Sequence, residues 1–255
     1  MSNNILKLRY GLDYDILKLL RESNEPLGAV NLSIMLAEKY SASQSTIGRK
    51  LLYMDHEGYT KKIKNTGRIL TEKGRRFLDD LEDRLIYERM QRAFMESLNP
   101  STLKDLIDIL VARRGLEREA CRLAAKNATK EHIIKMEQAL EEQKRKIAEY
   151  GEAGDEEDNR FHRMIALGSG NKVIQITISL LRKQNDLAMH LGTVRKLIGG
   201  GELYKEHVKI LECIKCKDCS GAEQAMEEHI NKIIKEFSNF PCLLEVKPKN
   251  LGEFS

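Results

Sequence analysis

At 255 residues the chain is long enough for one large domain or two of ordinary size. Its 32% charged and 41% hydrophobic residues, with four prolines, no tryptophan and no run of 18 apolar residues, argue against β-rich, disordered and membrane-spanning classes. The net charge of +4 is uneven: residues 1–76 carry 14 Lys+Arg against 8 Asp+Glu, and the other 179 residues carry 29 against 31. A basic head on a near-neutral body suits a polyanion partner. "MSNNILKLRYGLDYD" lacks the apolar core of a signal peptide, so the expected location is the cytoplasm. The odd cysteine count of five fits reduced thiols there.

The head, residues 1–76, reads as three helices and a hairpin. "DYDILKLLRES" spaces Ile16, Leu17, Leu19 and Leu20 as one helical stripe, and "NEPLG" stops it. "AVNLSIMLAEKY" predicts a second, short helix with Val30, Ile34 and Leu36 or Ala37 facing inward. "SASQSTIGRKLLYMDHEG" opens on a Ser-rich cap and predicts a third helix with Ile47, Leu51 and Met54 inward. In "YTKKIKNTGRILTEKG" two short strands flank an "NTG" turn. This is the order of a winged helix-turn-helix, whose third helix enters the DNA major groove.

Gln44, Ser45, Thr46, Arg49 and Lys50 stand where such a helix meets base edges and phosphates. Lys61, Lys62, Lys64, Asn65 and Arg68 give the wing a basic tip. "LLYMDHEGYTKK" and "LTEKG" make residues 12–76 resemble the winged-helix domains of bacterial and archaeal transcription regulators. Double-stranded DNA is the expected partner.

Residues 77–98 predict a connecting helix ending at "NPS". The body, 99–240, predicts helices near 102–127, 130–150, 155–168, 171–195, 202–217 and 220–238, with a tail over 241–255. Connections this short imply antiparallel neighbours in a bundle. The expected fold is mainly α: an N-terminal winged helix-turn-helix and a C-terminal antiparallel bundle of six or seven helices.

In "EEDNRFHRMIALGSGN" Asp158 and His162 lie four apart, on one face of a helix. His207 and His229 each stand 11 residues from Asp218, the midpoint of the turn "KDCS", and residues equidistant from a hairpin turn lie side by side. Apolar neighbours on both helices allow the two imidazoles to face inward. Two readings remain open on these grounds. The histidines are satisfied core residues, or three imidazoles and a carboxylate hold Zn²⁺, Ni²⁺, Mn²⁺ or Fe²⁺.

"RRGLEREACRLAAKNAT", "DNRFHRMIALGSGNKVI" and "EHVKILECIKCKDCSGAEQAMEEHI" resemble the FadR C-terminal (FCD) domain of GntR-superfamily transcription regulators, over about residues 102–238. The resemblance implies an FCD fold with a central cavity for a divalent metal held by Asp158, His162, His207 and His229. It also implies a small effector, commonly an organic acid, and a homodimer. Arg113 falls at the family's R-x-x-L-E position and would clamp an effector carboxylate. Asn171 either caps the next helix, the favoured reading, or bonds the effector, and His190 is a further candidate effector contact. The head lacks the GntR-type "PSE-x-x-L" start and "V-S-R-x-T-V-R" recognition helix, and so departs from that family's usual pattern.

Two other features compete. "CIKCKDC" spaces Cys213, Cys216 and Cys219 as C-x-x-C pairs, but no second pair elsewhere completes a cluster site, and Cys121 reads as core. The alternatives to a ligand-controlled regulator are a metal-dependent enzyme and an effector-independent DNA-binding protein.

Overall fold

The computed structural model describes residues 2–151, 155–182 and 200–239, with side chains over 11–151, 156–182 and 201–239. It divides into two compact units, Met1–Ala93 and Phe94–Ser255. Ten helices and one two-stranded sheet are present among the described residues.

In the first unit α1 (Ser2–Glu22), α2 (Ala29–Met35) and α3 (Gln44–His56) precede an antiparallel hairpin, β1 (Thr60–Ile63) and β2 (Gly67–Leu70), in the register Thr60–Leu70 to Ile63–Gly67. Its core joins Ile16, Leu17 and Leu20 of α1 to Leu32, Ile47, Leu51, Met54, Leu70 and Leu78. Ser43 is the N-cap of α3, its hydroxyl accepting from the Thr46 amide. Asp55, near the end of α3, accepts from Thr60 Oγ1 at 2.6 Å and Arg68 Nε at 2.9 Å, which ties both strands to the helix.

The inward set expected for α2 needs correction. Val30 and Ile34 are exposed; Leu36 is buried as expected, and Leu32 fills the core beside it. The helix spans only seven residues, so its two turns are too few for periodicity to fix the buried face.

The connecting helix starts earlier than its apolar spacing suggests: α4 runs Glu72–Ser97, directly off β2. Thr71 caps it, its hydroxyl accepting from the Gly74 amide at 3.0 Å. A Cβ on Gly74 would lie 2.1 Å from the Tyr59 carbonyl oxygen, so only glycine allows this close approach.

The second unit holds α5 (Leu103–Asn127), α6 (Lys130–Tyr150), α7 (Asp155–Gly168), α8 (Lys172–Arg182), α9 (Gly200–Lys215) and α10 (Cys219–Asn239). Helix α5 packs against α7, α8, α9 and α10, and α6 packs against α7 and α9. Thr102 starts α5 with a capping box to Asp105, and Thr129 starts α6 with one to His132. Between α9 and α10, Lys217 takes a left-handed conformation (φ 58°) and the Asp218 amide donates to the Cys213 carbonyl, which folds the hairpin tightly. Cys121 is buried among Ala120, Ala124 and Met136, and burial pushes its thiol pKa up. No described helix is long and apolar enough to cross a membrane.

Candidate metal centre

The bundle brings Asp158, His162, His207 and His229 together. One ligand atom from each lies within 4.8 Å of all the others, and all four residues are buried. The i, i+4 spacing on α7 places Asp158 and His162 on one face, with His162 Nε2 3.9 Å from Asp158 Oδ1. The α9–α10 hairpin supplies the other pair, their ring centroids 4.8 Å apart. His207 Nε2 comes within 3.6 Å of the same Asp158 oxygen. Phe161 packs on the His207 ring at 4.8 Å, an apolar wall that keeps water from the imidazoles.

Two imidazoles are hydrogen-bonded from behind through Nδ1, and the third faces a carboxylate there without hydrogen-bond geometry. His207 Nδ1 donates to Gln143 Oε1 on α6 at 2.9 Å, and His229 Nδ1 to Glu206 Oε2 on α9 at 2.8 Å. His162 Nδ1 lies 2.5 Å from Glu117 Oε2 on α5. An acceptor at Nδ1 selects the tautomer whose Nε2 carries a lone pair. The Nε2 atoms of His162 and His207 are buried with no hydrogen-bond partner among the described residues. Leaving such atoms bare costs free energy, so these lone pairs fit a cation.

Electrostatics agree with that fit. Burial, reinforced by the charge of Arg182, pushes His162 down to about 4. Burial and neighbouring His229 push His207 well below the usual imidazole range. These two imidazoles are therefore neutral near pH 7, the form that binds metal. Four ligands on bonds near 2.1 Å stand about 3.4 Å apart in a tetrahedron, a modest contraction of the present cluster.

Two arginines and a second carboxylate complete the buried set. Arg113 on α5 is 1% exposed; its Nε donates to Glu117 Oε1 at 2.7 Å, and its Nη1 has no partner among the described residues. The adjacent Arg114 points outward, to Asn231. Arg182 on α8 donates through Nη2 to Asp158 Oδ2, through Nη1 to both Glu117 oxygens at 3.2 Å, and through Nε to Asn159 at 3.0 Å. Against burial, which pushes it up, Arg113 and Arg182 hold the Glu117 carboxyl well below the usual carboxylate range.

Among the described residues, Arg113 is the expected effector contact that stands beside the cluster. Asn171 is exposed and its Oδ1 accepts from the Val173 and Ile174 amides, which makes it the α8 cap, the favoured of its two expected roles. His190 lies outside the described residues. Reading the sequence missed Glu117, Gln143, Arg182 and Glu206. For Glu117 a signal existed: it follows Arg113 by one helical turn, the spacing of an ion pair.

In the head, Gln44, Ser45 and Arg49 are exposed on α3, and Lys61, Lys62, Lys64 and Asn65 on the wing. Thr46 is half-buried, its hydroxyl 3.0 Å from that of Ser43. Two of the expected DNA contacts are otherwise engaged. Lys50 Nζ pairs with Asp13 at 2.6 Å, and Arg68 turns back to Asp55.

Comparison with known proteins follows this division. Residues 108–232 match the family described as the FCD domain. The helical unit is thus similar to FCD domains over most of its length. Residues 14–78 match the Ribonuclease R winged-helix domain, so the head is a winged helix of another branch. Relatives include the Uxu operon transcriptional regulator of Escherichia coli (strain K12), 32% identical over 148 residues, 52% of this chain and 54% of that protein. The chain thus spans about half the length of that relative. Similar solved structures include Streptococcus agalactiae GntR, at 18% identity over 89% of this chain and 98% of that one with a TM-score of 0.45. E. coli McbR/YncC is 18% identical over 92% and 96%, with a TM-score of 0.43. That relative is a transcriptional regulator, and neither match is to an enzyme of the metal-dependent class weighed above.

Proposed function

We propose that the chain is a DNA-binding transcription regulator whose operator affinity is set by a small organic acid bound at a divalent metal in the FCD domain. The observation that carries this reading is the convergence of four ligand atoms within 4.8 Å, in a bundle belonging to the same chain as a basic winged head. Asp158, His162, His207 and His229 would hold the metal, the last three through Nε2. Zn²⁺, Ni²⁺, Mn²⁺ and Fe²⁺ all suit three imidazoles and a carboxylate. When bound, the ion supplies a Lewis-acid point of attachment for ligand oxygen atoms.

The charge balance supports an anionic effector. Arg113 and Arg182 offset Glu117 and Asp158, so a divalent cation leaves the buried cluster positive. Arg113 Nη1, buried and unpartnered among the described residues, offers a donor to a carboxylate. In the head, Gln44, Ser45, Thr46 and Arg49 would read base edges, and Lys61, Lys62, Lys64 and Asn65 would hold phosphates. A homodimer would present two such heads to two half-sites. The acid shifts operator affinity only by the difference in its affinity for two arrangements of the bundle, which α4 would transmit.

Native mass spectrometry of protein purified without chelator or a polyhistidine tag tests this reading. A dimer with one divalent ion per chain, lost when His207 and His229 are both changed to Ala, is expected. Protein that carries no metal and takes up none of the four added ions would defeat it.

A further inference from the structure

We infer that Glu117 is a positioning residue shared by the two halves of the site, setting His162 as a metal ligand and Arg113 as an anion clamp. The inference rests on the metal reading above and goes beyond it. A buried carboxylate is costly unless several polar groups surround it, and Glu117, 2% exposed, has arginine donors from two helices and the His162 ring against it from a third. Arg113 Nε reaches Oε1 at 2.7 Å from one turn earlier on α5. Arg182 Nη1 bridges both oxygens from α8 at 3.2 Å, and His162 Nδ1 lies 2.5 Å from Oε2 on α7.

Each contact restricts a neighbour in a way that bears on ligand binding. Glu117 faces His162 at Nδ1, so the imidazole presents Nε2 toward Asp158 and the other histidines. Of the two anchoring carboxylates, Glu206 also serves the partly exposed Lys232, whereas Glu117 is sealed inside. On the other side, the Nε bond fixes the plane of the Arg113 guanidinium and leaves Nη1 unpartnered among the described residues. One carboxylate thus links the atom offered to a cation with the atom offered to an anion. A residue present only to neutralise the arginines would need no contact with His162.

The test uses the full-length chain, freed of metal, with Co²⁺ as the probe. Wild type should bind one Co²⁺ per chain with visible d–d bands. Glu117→Gln, with its helicity and cooperative melt checked by circular dichroism, should bind Co²⁺ about 10–100-fold more weakly and with altered bands. Wild-type affinity and bands in that variant would overturn the His162 part. Acetate titrated into the Co²⁺ form tests the Arg113 part. Half of the spectral change should need several-fold more acetate in Glu117→Gln, and an equal midpoint or an unresponsive wild type would overturn it. If the variant does not fold, long-range ¹H–¹⁵N spectra of metal-free wild type decide. An Nδ1–H tautomer at His162 supports the assignment, and an Nε2–H tautomer overturns it. Wild type that takes up no Co²⁺ removes the metal reading itself, and this inference with it.

Discussion

Four side chains near the centre of the bundle depend on four others for their orientation. Removing a ligand and removing its anchor should therefore differ in degree. Asp158→Asn or His207→Ala should lower metal affinity by more than about 100-fold, whereas Gln143→Ala, which removes only the Nδ1 acceptor of His207, should cost about 10–100-fold. Competition with a chromophoric chelator measures both. Protonation offers a separate check on chelator-treated protein. His162 is pushed down to about 4 in the fold and titrates near 6.5 when unfolded, so between these values the unfolded chain binds more protons. Stability should rise with pH across that window, and thermal melts should show Tm falling as pH drops from about 6.5 toward 4. Substituting His162 by Gln should flatten that slope. The ligand pairs were legible in the sequence because each is local, one turn of α7 or one hairpin. Arg182 and Gln143 were not, since each reaches the site alone from its own helix and leaves no spacing to read.

At the scale of elements, the same contrast between local and tertiary signals explains what was readable in the fold. Helix α3 was marked by its serine cap and by Ile47, Leu51 and Met54, all buried. The short α2 was legible only in part: Leu36 is buried as expected, but packing rather than periodicity turned Val30 and Ile34 outward and chose Leu32. The start of α4 was hidden as well. It follows from Thr71 and the close approach of Gly74 to Tyr59, a backbone arrangement with no apolar pattern of its own. Two substitutions probe these elements by denaturant unfolding of the chain. Ser43→Ala removes the cap of α3 and should cost about 1 kcal/mol. Gly74→Ala must push strand and helix apart and should cost about 1–3 kcal/mol.

For the whole molecule, the basic head predicts how DNA affinity depends on salt. Arg49, Lys61, Lys62 and Lys64 are exposed and form no ion pair among the described residues, unlike Lys50 and Arg68. Each phosphate they neutralise should add about −0.9 to the slope of log K against log salt concentration. Changing the three wing lysines to Ala should thus flatten the slope by about 2.7 per head, and an unchanged slope would remove the wing from the interface. The burial of the four candidate ligands, none more than 3% exposed, has a kinetic consequence. An ion enclosed in this way can leave only when the helices part, however strong the competitor outside. Metal loss should then proceed at one rate whatever the chelator concentration, the rate at which the bundle opens. That rate would also cap how quickly a regulator built this way could answer a change in its surroundings.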